Sequence, residues 1–255
     1  MPRAIFTDLE GKSVFITGGG SGIGAVLTEG FLEQGAKVAF VQRSDATAFC
    51  DEMEARHGSR PLFIACDITD IAALRAAIAQ AAEVHGDPTV LINNAANDLR
   101  HNTLEVTEAF WDENQAVNLK AYFFASQAVI PGMQRVGGGV IVNFSSIAYF
   151  RGFPEYPSYA SANAGIMGLT RAHAREFGPD NIRVNALAPG WTMTQRQLDL
   201  WVTPEKYEPI LKGQCLQRQV LPEDMLAPTL FLASDASSAI TGQCLPVDNG
   251  LVETG

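Results

Sequence analysis

The sequence predicts an α/β fold built on a doubly wound parallel sheet, and two observations support this prediction. Short β-branched runs alternate along the chain with longer segments of helical period. The short runs are mostly apolar, which is typical of strands that helices cover on both faces. The 255 residues are 47% apolar and 18% charged, a globular composition that fits one large domain over residues 1–255.

The elements follow in order from this alternation. Seven apolar runs are predicted as strands, at residues 13–17, 37–41, 62–66, 90–92, 140–144, 182–187 and 244–247. A helix follows the first strand, because apolar residues recur there at three- and four-residue steps as far as Gly35, which ends it. Further helical periods cover residues 71–85, 107–134 and 156–177.

The loops that follow these strands are predicted to form one cleft. Right-handed crossovers between parallel strands give a doubly wound sheet, whose ligands bind beyond the carboxyl ends of the strands. That rule brings together residues 18–24, 93–101, 145–154 and 189–194. Residues 191–221 interrupt the alternation and are predicted to be an insertion over the cleft that contacts substrate.

Composition excludes several classes of partner. The net charge of −10 argues against a general nucleic-acid or anionic-membrane binder. The four cysteines have no CxxC spacing, and the histidines have no metal-ligand spacing, so we expect free thiols and no metal site. Residues 1–12 lack a signal-peptide pattern and no apolar run is long enough to span a bilayer. We therefore expect a cytoplasmic protein.

A glycine cluster between the first strand and the first helix predicts a dinucleotide site, as in Rossmann folds. Residues 17–24 read TGGGSGIG. Glycines allow a tight turn and close approach of the backbone to a pyrophosphate, and the N–H groups of the helix start favour its charge.

The end of the second strand bears on the choice of nicotinamide cofactor. An acid there pairs with the ribose 2′-hydroxyl, whereas an arginine accommodates a 2′-phosphate. This chain has Gln42, Arg43 and Ser44, so the acid is missing and an arginine stands beside its place. NADP is therefore favoured; the alternative is a solvated Arg43 with NAD bound through other contacts.

These motifs together resemble the short-chain dehydrogenase/reductase family over essentially the whole chain. Residues 17–24 are similar to its TGxxxGxG turn and residues 93–96, NNAA, to its NNAG motif. The resemblance implies a catalytic set of Ser146, Tyr159 and Asn118 at the family's order and spacing. It implies a cofactor site formed by Gly18, Gly20, Ser21, Gly22, Ile23, Gly24, Gln42, Arg43, Ser44, Asp67, Ile68, Asn94, Ala95, Ala96, Tyr159, Asn163, Pro189, Gly190, Thr192 and Thr194.

One position departs from the family pattern. Asn163 stands four residues after Tyr159, where the family has a lysine that binds the cofactor ribose and favours tyrosinate. Residues four apart share a helix face, so Asn163 still faces the ribose, but it carries no charge. Tyr159 should then be a poorer base near neutral pH. Asn163 is either a natural alteration or a change introduced into an otherwise active enzyme, and the intact Ser146, Tyr159 and Asn118 favour the second reading.

Within the family, residues 93–101, 214–216 and 230–235 resemble bacterial aldose dehydrogenases of the xylose type, which oxidise the anomeric hydroxyl of a sugar to a lactone. Polar and aromatic side chains suit such a substrate. The predicted substrate residues are Asn97, His101, Ser146, Ala148, Glu155, Tyr159, Trp191, Gln195 and Arg196. Five of them have a plain alternative: Asn97 as a cap, His101 at a solvated rim, Glu155 as an exposed carboxylate, Trp191 as packing, and Arg196 as a solvated charge or a partner of Asp199.

Two further readings stay open. One is that the chain is a reductase or dehydrogenase of a ketone or a keto-deoxy sugar acid. The other is that it binds NADP(H) without turnover; only Asn163 favours this second alternative. The resemblance also implies a homotetramer.

Overall fold

The computed structural model describes residues 4–253; residues 1–3 and 254–255 of the predicted domain lie outside the described part. All seven predicted strands form one parallel sheet in the order β3-β2-β1-β4-β5-β6-β7. The strands are β1 (Ser13–Thr17), β2 (Lys37–Gln42), β3 (Leu62–Ala65), β4 (Val90–Asn93), β5 (Gly139–Phe144), β6 (Ile182–Pro189) and β7 (Cys244–Val247). This confirms the predicted fold class.

The order of strands reverses between β1 and β4. Phe15 of β1 pairs with Ala39 of β2 on one side and with Leu91 of β4 on the other. From β1 the chain winds outward through β2 to β3, then returns to β4 and winds the other way. Loops that leave β1 and β4 in opposite directions open a crevice at their carboxyl ends.

Ten helices connect the strands in the described part of the chain. They are α1 (Gly22–Glu33), α2 (Thr47–His57), α3 (Ile71–His85), α4 (Glu108–Gln115), α5 (Ala121–Arg135), α6 (Ala148–Arg151), α7 (Pro157–Phe177), α8 (Gln195–Leu200), α9 (Pro204–Gly213) and α10 (Leu226–Ala233). None of those between residues 4 and 253 is long and apolar enough to cross a membrane.

The predicted helix over residues 107–134 is in fact interrupted. A π-helical turn, Ala116–Lys120, separates α4 from α5. The apolar period runs through this turn, so the sequence pattern did not reveal it. Such turns are rare in proteins overall, and those that occur often lie at functional sites.

The core lies on both faces of the sheet. Val14 and Ile16 of β1 point to the face covered by α1, α2 and α10, whereas Phe15 points to the face covered by α3, α5 and α7. All five residues of β1 are buried, as the continuous apolar runs predict. Because helices cover both faces of the sheet, the site is confined to the loops at the carboxyl ends of the strands.

Candidate active site

A cavity of about 1310 Å³ opens at the carboxyl ends of the strands, as predicted. It is lined by both the cofactor loops and the substrate segment. The predicted cofactor residues in its wall are Gly18, Ser21, Gly22, Ile23, Gly24, Gln42, Arg43, Ser44, Asp67, Ile68, Asn94, Ala95, Ala96, Tyr159, Pro189, Gly190, Thr192 and Thr194.

The glycine turn is shaped to admit a ligand close to its backbone. Gly18 has a φ of 72°, which residues other than glycine rarely adopt. A Cβ on Gly24 would lie 1.8 Å from the Gly18 carbonyl oxygen. The Ser21 side chain does not cap α1, and the first turn of α1 contains no acid. The N–H groups at its start therefore favour an anion. These features fit the pyrophosphate of a dinucleotide.

The turn is braced from the neighbouring strand. The Asn94 amide donates to the carbonyl oxygens of Thr17 and Gly18 at 3.0 and 3.1 Å. In return, the Thr17 hydroxyl oxygen accepts from the backbone N–H groups of Asn94 and Ala95. The ends of β1 and β4 are thus tied together where the sheet order reverses.

An arginine that directly follows β2 extends into solvent at the rim of the cavity. Gln42 accepts from the Gly20 N–H at 2.9 Å and donates to Ser44. It thereby partly covers Gly20, which is half-buried and does not line the cavity. The Arg43 side chain is 79% exposed and its guanidinium lies 4.0 Å from Asp67. An extended guanidinium in this place is available to a 2′-phosphate.

Ser146 and Tyr159 both line the cleft, within hydrogen-bonding reach of each other. The Ser146 hydroxyl oxygen accepts from the Ala148 N–H at 3.1 Å, which fixes its side chain and leaves its proton free to donate. Burial raises the pKa of Tyr159 to about 12; the Asp98 charge adds to the rise, and hydrogen bonding with Ser146 and Asn163 opposes it. The Tyr159 phenol is therefore held in its neutral form at neutral pH.

Asn163 lies behind Tyr159 and is 2% exposed. Its side-chain amide donates to the backbone carbonyl oxygen of Tyr159 at 2.8 Å, and its backbone carbonyl oxygen accepts from the Ser145 hydroxyl. It does not line the cavity of the described residues, unlike the sequence prediction, because its short side chain turns back onto its own helix.

Asn118, in the π-helical turn, is 1% exposed and acts as a clamp. Its amide oxygen accepts from the Asn97 N–H at 2.8 Å, and its amide nitrogen donates to the carbonyl oxygens of Asn97 and Asn114 at 2.9 Å each. Both amide protons are therefore in use. The predicted role of Asn118 in holding a water stays a hypothesis, while its hold on the loop after β4 is plain.

The substrate end of the cleft contains most of the residues predicted for it. Asn97, Ser146, Ala148, Glu155, Tyr159, Trp191, Gln195 and Arg196 all line it. The Trp191 indole donates to Gln197 at 2.8 Å, and Gln197 donates to Asp98 at 2.6 Å. The insertion is thereby fastened to the loop after β4.

The charged residues there pair differently from the alternatives considered. The Arg196 guanidinium lies 3.5 Å from Asp98, and it is Gln195 that binds Asp199, at 2.7 Å. Glu155 is exposed but paired, with its carboxylate 2.8 Å from the Arg100 guanidinium. Arg100 holds the pKa of Glu155 below its usual range, and Lys206 contributes to the same effect.

His101 lies outside the cavity lining. Its Nε2 accepts from the Ser158 N–H at 3.1 Å, and its Nδ1 faces the Leu99 carbonyl oxygen at 3.0 Å. Because Nε2 accepts, Nδ1 carries the proton and donates. The Tyr156 side chain does not cap α7, so His101 supplies that function. It binds the helix that carries Tyr159, and its contact with the substrate stays a prediction.

Sequence reasoning missed several residues of this site. Arg100 and Tyr156 line the cleft, as do Gln197, Glu205 and Lys206 of the insertion. Tyr156 precedes Tyr159 by three residues and thus shares its helix face, a signal that was present. Arg100 lies in the segment 93–101 that was predicted to line the cleft, but it was not among the predicted site residues, because the orientation of its side chain depends on contacts with the distant insertion.

One group of described residues offers three metal-ligand atoms within 4.8 Å of one another, namely Glu29, Glu33 and His57. It lies on α1 and α2, away from the cleft. The Arg56 guanidinium already pairs with Glu29 at 2.6 Å. The absence of a metal site stays a prediction.

The fold and the site define a nicotinamide-dinucleotide oxidoreductase, with a phosphate-binding glycine turn facing a serine–tyrosine pair. A profile of the family described as enoyl-(acyl carrier protein) reductase matches residues 18–252. The chain belongs to the short-chain dehydrogenase/reductase family and is an NAD(P)-dependent oxidoreductase.

Relatives of near-equal length bear the names of sugar enzymes. The chain is 49% identical to a probable galactose dehydrogenase of Rhizobium meliloti and 46% to the D-xylose 1-dehydrogenase of Caulobacter vibrioides, with 98% of this chain and 99% of each relative covered. It is 34% identical to the 2-dehydro-3-deoxy-D-gluconate 5-dehydrogenase of Escherichia coli, covering 95% of this chain and 96% of the relative.

Solved structures agree with the fold. A Beutenbergia cavernae protein assigned as an NAD(P)-dependent gluconate 5-dehydrogenase, with NADP bound at low occupancy, superposes with a TM-score of 0.90 at 34% identity. The superposition covers 96% of this chain and 98% of that one.

Proposed function

We propose that this protein oxidises the anomeric hydroxyl of a neutral aldose to a lactone, with NADP as its cofactor. The observation that carries the proposal is the Ser146–Tyr159 pair at the carboxyl ends of the strands, in a cleft that is also lined by hydrogen-bonding amides, aromatic rings and charged side chains that pair with one another. Such a lining suits the hydroxyls and C–H faces of a sugar. The sugar-dehydrogenase names of the relatives point the same way.

The roles of the residues follow from their contacts. Ser146, with its side chain fixed by Ala148, donates a hydrogen bond to the anomeric oxygen and orients it. Tyr159 takes the proton of that hydroxyl as its C1 is oxidised, a contribution of typically ~10²–10⁴ in rate. NADP, when bound, supplies the acceptor for the hydride of C1. Asn118 keeps the loop of Asn97 against the sugar.

With Asn163 in this position, Tyr159 is ionised in only a small fraction of molecules at neutral pH and is seldom available as a base. No charge stabilises the tyrosinate from that position, and the pKa of Tyr159 is about 12. We infer that turnover is slow at neutral pH and increases under alkaline conditions.

The exposed Arg43 supports NADP over NAD. Its guanidinium has only a 4.0 Å contact with Asp67, so a 2′-phosphate would gain a charged hydrogen-bonding partner. Arg43→Ala is expected to raise the KM for NADP about tenfold, the loss of one such bond, and to leave the KM for NAD unchanged. Steady-state kinetics with both cofactors measure this, and an equal change in both constants would contradict it.

From the family resemblance we also propose that the protein is located in the cytoplasm and forms a homotetramer. A sizing column coupled to light scattering measures the assembly directly.

The test of the function is reduction of NADP and NAD by a panel of aldoses and secondary alcohols, and oxidation of NADPH and NADH by a panel of ketones, at pH 7.5 and 9.5. We expect activity with aldoses that is greater at the higher pH. Activity confined to ketones or to keto-deoxy sugar acids would replace the aldose reading. Cofactor binding without turnover of any compound would favour a non-catalytic binder.

A further inference from the structure

A guanidinium stands at the substrate end of the cleft, close to the catalytic base. The Arg100 side chain is only 19% exposed, and its guanidinium carbon lies 5.0 Å from the ring centre of Trp201, 5.4 Å from that of Trp191 and 5.5 Å from that of Tyr156. The Tyr156 ring is in turn 5.9 Å from the Tyr159 ring. A single ring thus separates Arg100 from Tyr159.

A half-enclosed arginine in a binding cleft is ordinarily a carboxylate receptor, because its planar fork matches that group. Here the receptor is filled from within the chain. Glu155 lines the same cleft and its carboxylate lies 2.8 Å from the Arg100 guanidinium. The backbone holds Glu155 in place: its φ is 76°, and its carbonyl oxygen accepts from the His101 N–H at 2.5 Å.

The other cations of this wall also act on carboxylates of the chain. Arg196 lies 3.5 Å from Asp98, and the charge of the exposed Lys206 lowers the pKa of Glu155. A carboxylate on the substrate would therefore have to displace Glu155 from Arg100, or lie next to carboxylates. An uncharged sugar needs neither change, since its hydroxyls bond to amides and rings.

We propose that Glu155 is a specificity-determining residue, which occupies Arg100 and thereby restricts the cleft to uncharged sugars over sugar acids. The inference rests on the proposed function and deepens it. The relatives named above carry names of both kinds, neutral sugars and a keto-deoxy gluconate. In this chain the ion pair, rather than the shape of the cleft, separates the two classes.

Glu155→Gln tests the inference, because glutamine keeps the size and the acceptor oxygen but leaves the charge of Arg100 unmatched. The probes are D-galactose, D-galacturonate, which adds a carboxylate at C6, and D-galactonate, which has one at C1. Two readouts are used: kcat/KM with NADP, and Kd for each compound on the protein saturated with NADPH. We expect the ratio of kcat/KM for galacturonate to that for galactose, or the affinity for galactonate, to rise at least about tenfold.

Two controls isolate the pair. Glu208→Gln removes the same charge from an ion pair with Lys212 on α9, outside the cleft lining, and we expect it to leave both the kcat/KM ratio and the affinity for galactonate within twofold of the parent. Adding Arg100→Gln to Glu155→Gln should abolish the gain, since the receptor itself is then lost.

The outcomes separate the inference from the function. If the parent oxidises galactose and Glu155→Gln changes neither ratio, the inference is wrong and the proposed function stands. A parent that already prefers the acids overturns both. If the parent oxidises no sugar, the proposed function fails and the Kd values alone decide the inference.

Discussion

At the scale of single residues, one side chain sets the pH range of the chemistry. Tyr159 is placed to take a proton, but burial and Asp98 hold its pKa at about 12. The neighbouring Asn163 supplies hydrogen bonds and no charge. A base with such a pKa is ionised in only a small fraction of molecules at neutral pH, and that fraction grows tenfold with each pH unit.

We therefore predict that log kcat/KM for an aldose increases with a slope near one from pH 7 to 10. The direction follows because the active form is deprotonated. Above pH 10 the fold itself loses stability, since a phenol whose pKa is raised on folding favours the native state only while the unfolded phenol stays protonated. A pH–rate profile up to pH 10 measures this, and a flat profile would contradict the assignment of Tyr159 as the base.

Asn163→Lys should move the rise to lower pH. A cation next to an ionisable group shifts its pKa by about 1–3 units, so turnover at pH 7.5 should increase at least about tenfold. Asn163→Met, which has a similar stem without the charge, is the matched control. An equal gain in both variants would show that filling space, rather than charge, is what the site lacks.

At the scale of elements, the catalytic helix is anchored by a side chain from another loop. α7 begins at Pro157, and His101 supplies the acceptor for the Ser158 N–H next to Tyr159. The Ser158 hydroxyl donates to Asn114 of α4 at 3.0 Å. The start of α7 is thus fixed from two sides, and we infer that His101 is a positioning residue.

His101→Ala should lower the free energy of unfolding by about 1 kcal/mol, the usual cost of a lost cap, and lower kcat more than it changes KM. Asp70→Ala is the control: Asp70 caps α3 by accepting from the Ala73 N–H at 3.0 Å, far from the cleft. It should cost similar stability and leave kcat unchanged. Urea unfolding and steady-state kinetics decide, and an unchanged kcat in His101→Ala would leave that residue a purely structural part.

At the scale of the whole molecule, close helix packing supports the sheet from outside. Gly30 of α1 faces Leu226 of α10, and a Cβ on Gly30 would lie 2.1 Å from a Leu226 methyl carbon. Both residues belong to the wall that covers one face of the sheet, so the two helices cannot approach each other with a larger residue there.

Gly30→Ala should therefore lower the free energy of unfolding by about 1–3 kcal/mol through overpacking. Gly168→Ala is the matched control, because Gly168 lies inside α7 and a Cβ added to it would have no neighbour within 4 Å among the described residues. Chemical denaturation of both variants measures the difference, and equal stability would contradict the close packing.

Much of this architecture could be predicted from the sequence, because its signals are local. The buried strands are visible as continuous apolar runs, and the bounds of α3 agree with its prediction because Asp70 and Gly86 cap its ends. α2 was missed because it buries only Cys50 and Met53, too few apolar residues to show a period.

The site was predictable in its motifs and less so in its orientations. The glycine turn and the Ser146–Tyr159 pair follow from spacing. Arg100 and His101 do not, because each is placed by partners that are distant in sequence, on the insertion and on α7. The π-helical turn at Asn118 was hidden for a related reason: an apolar stripe continues through it, and only backbone geometry reveals it.

The most direct test of the central claim follows the hydrogen on C1 of the sugar. Galactose and xylose that carry deuterium at C1 are incubated with NADP at pH 9.5, with Tyr159→Phe as the inactive control. We expect one deuterium on each NADPH formed, a lactone as the product, and no turnover by Tyr159→Phe. Deuterium retained on an oxidised sugar, or turnover by Tyr159→Phe equal to that of the parent, would contradict it.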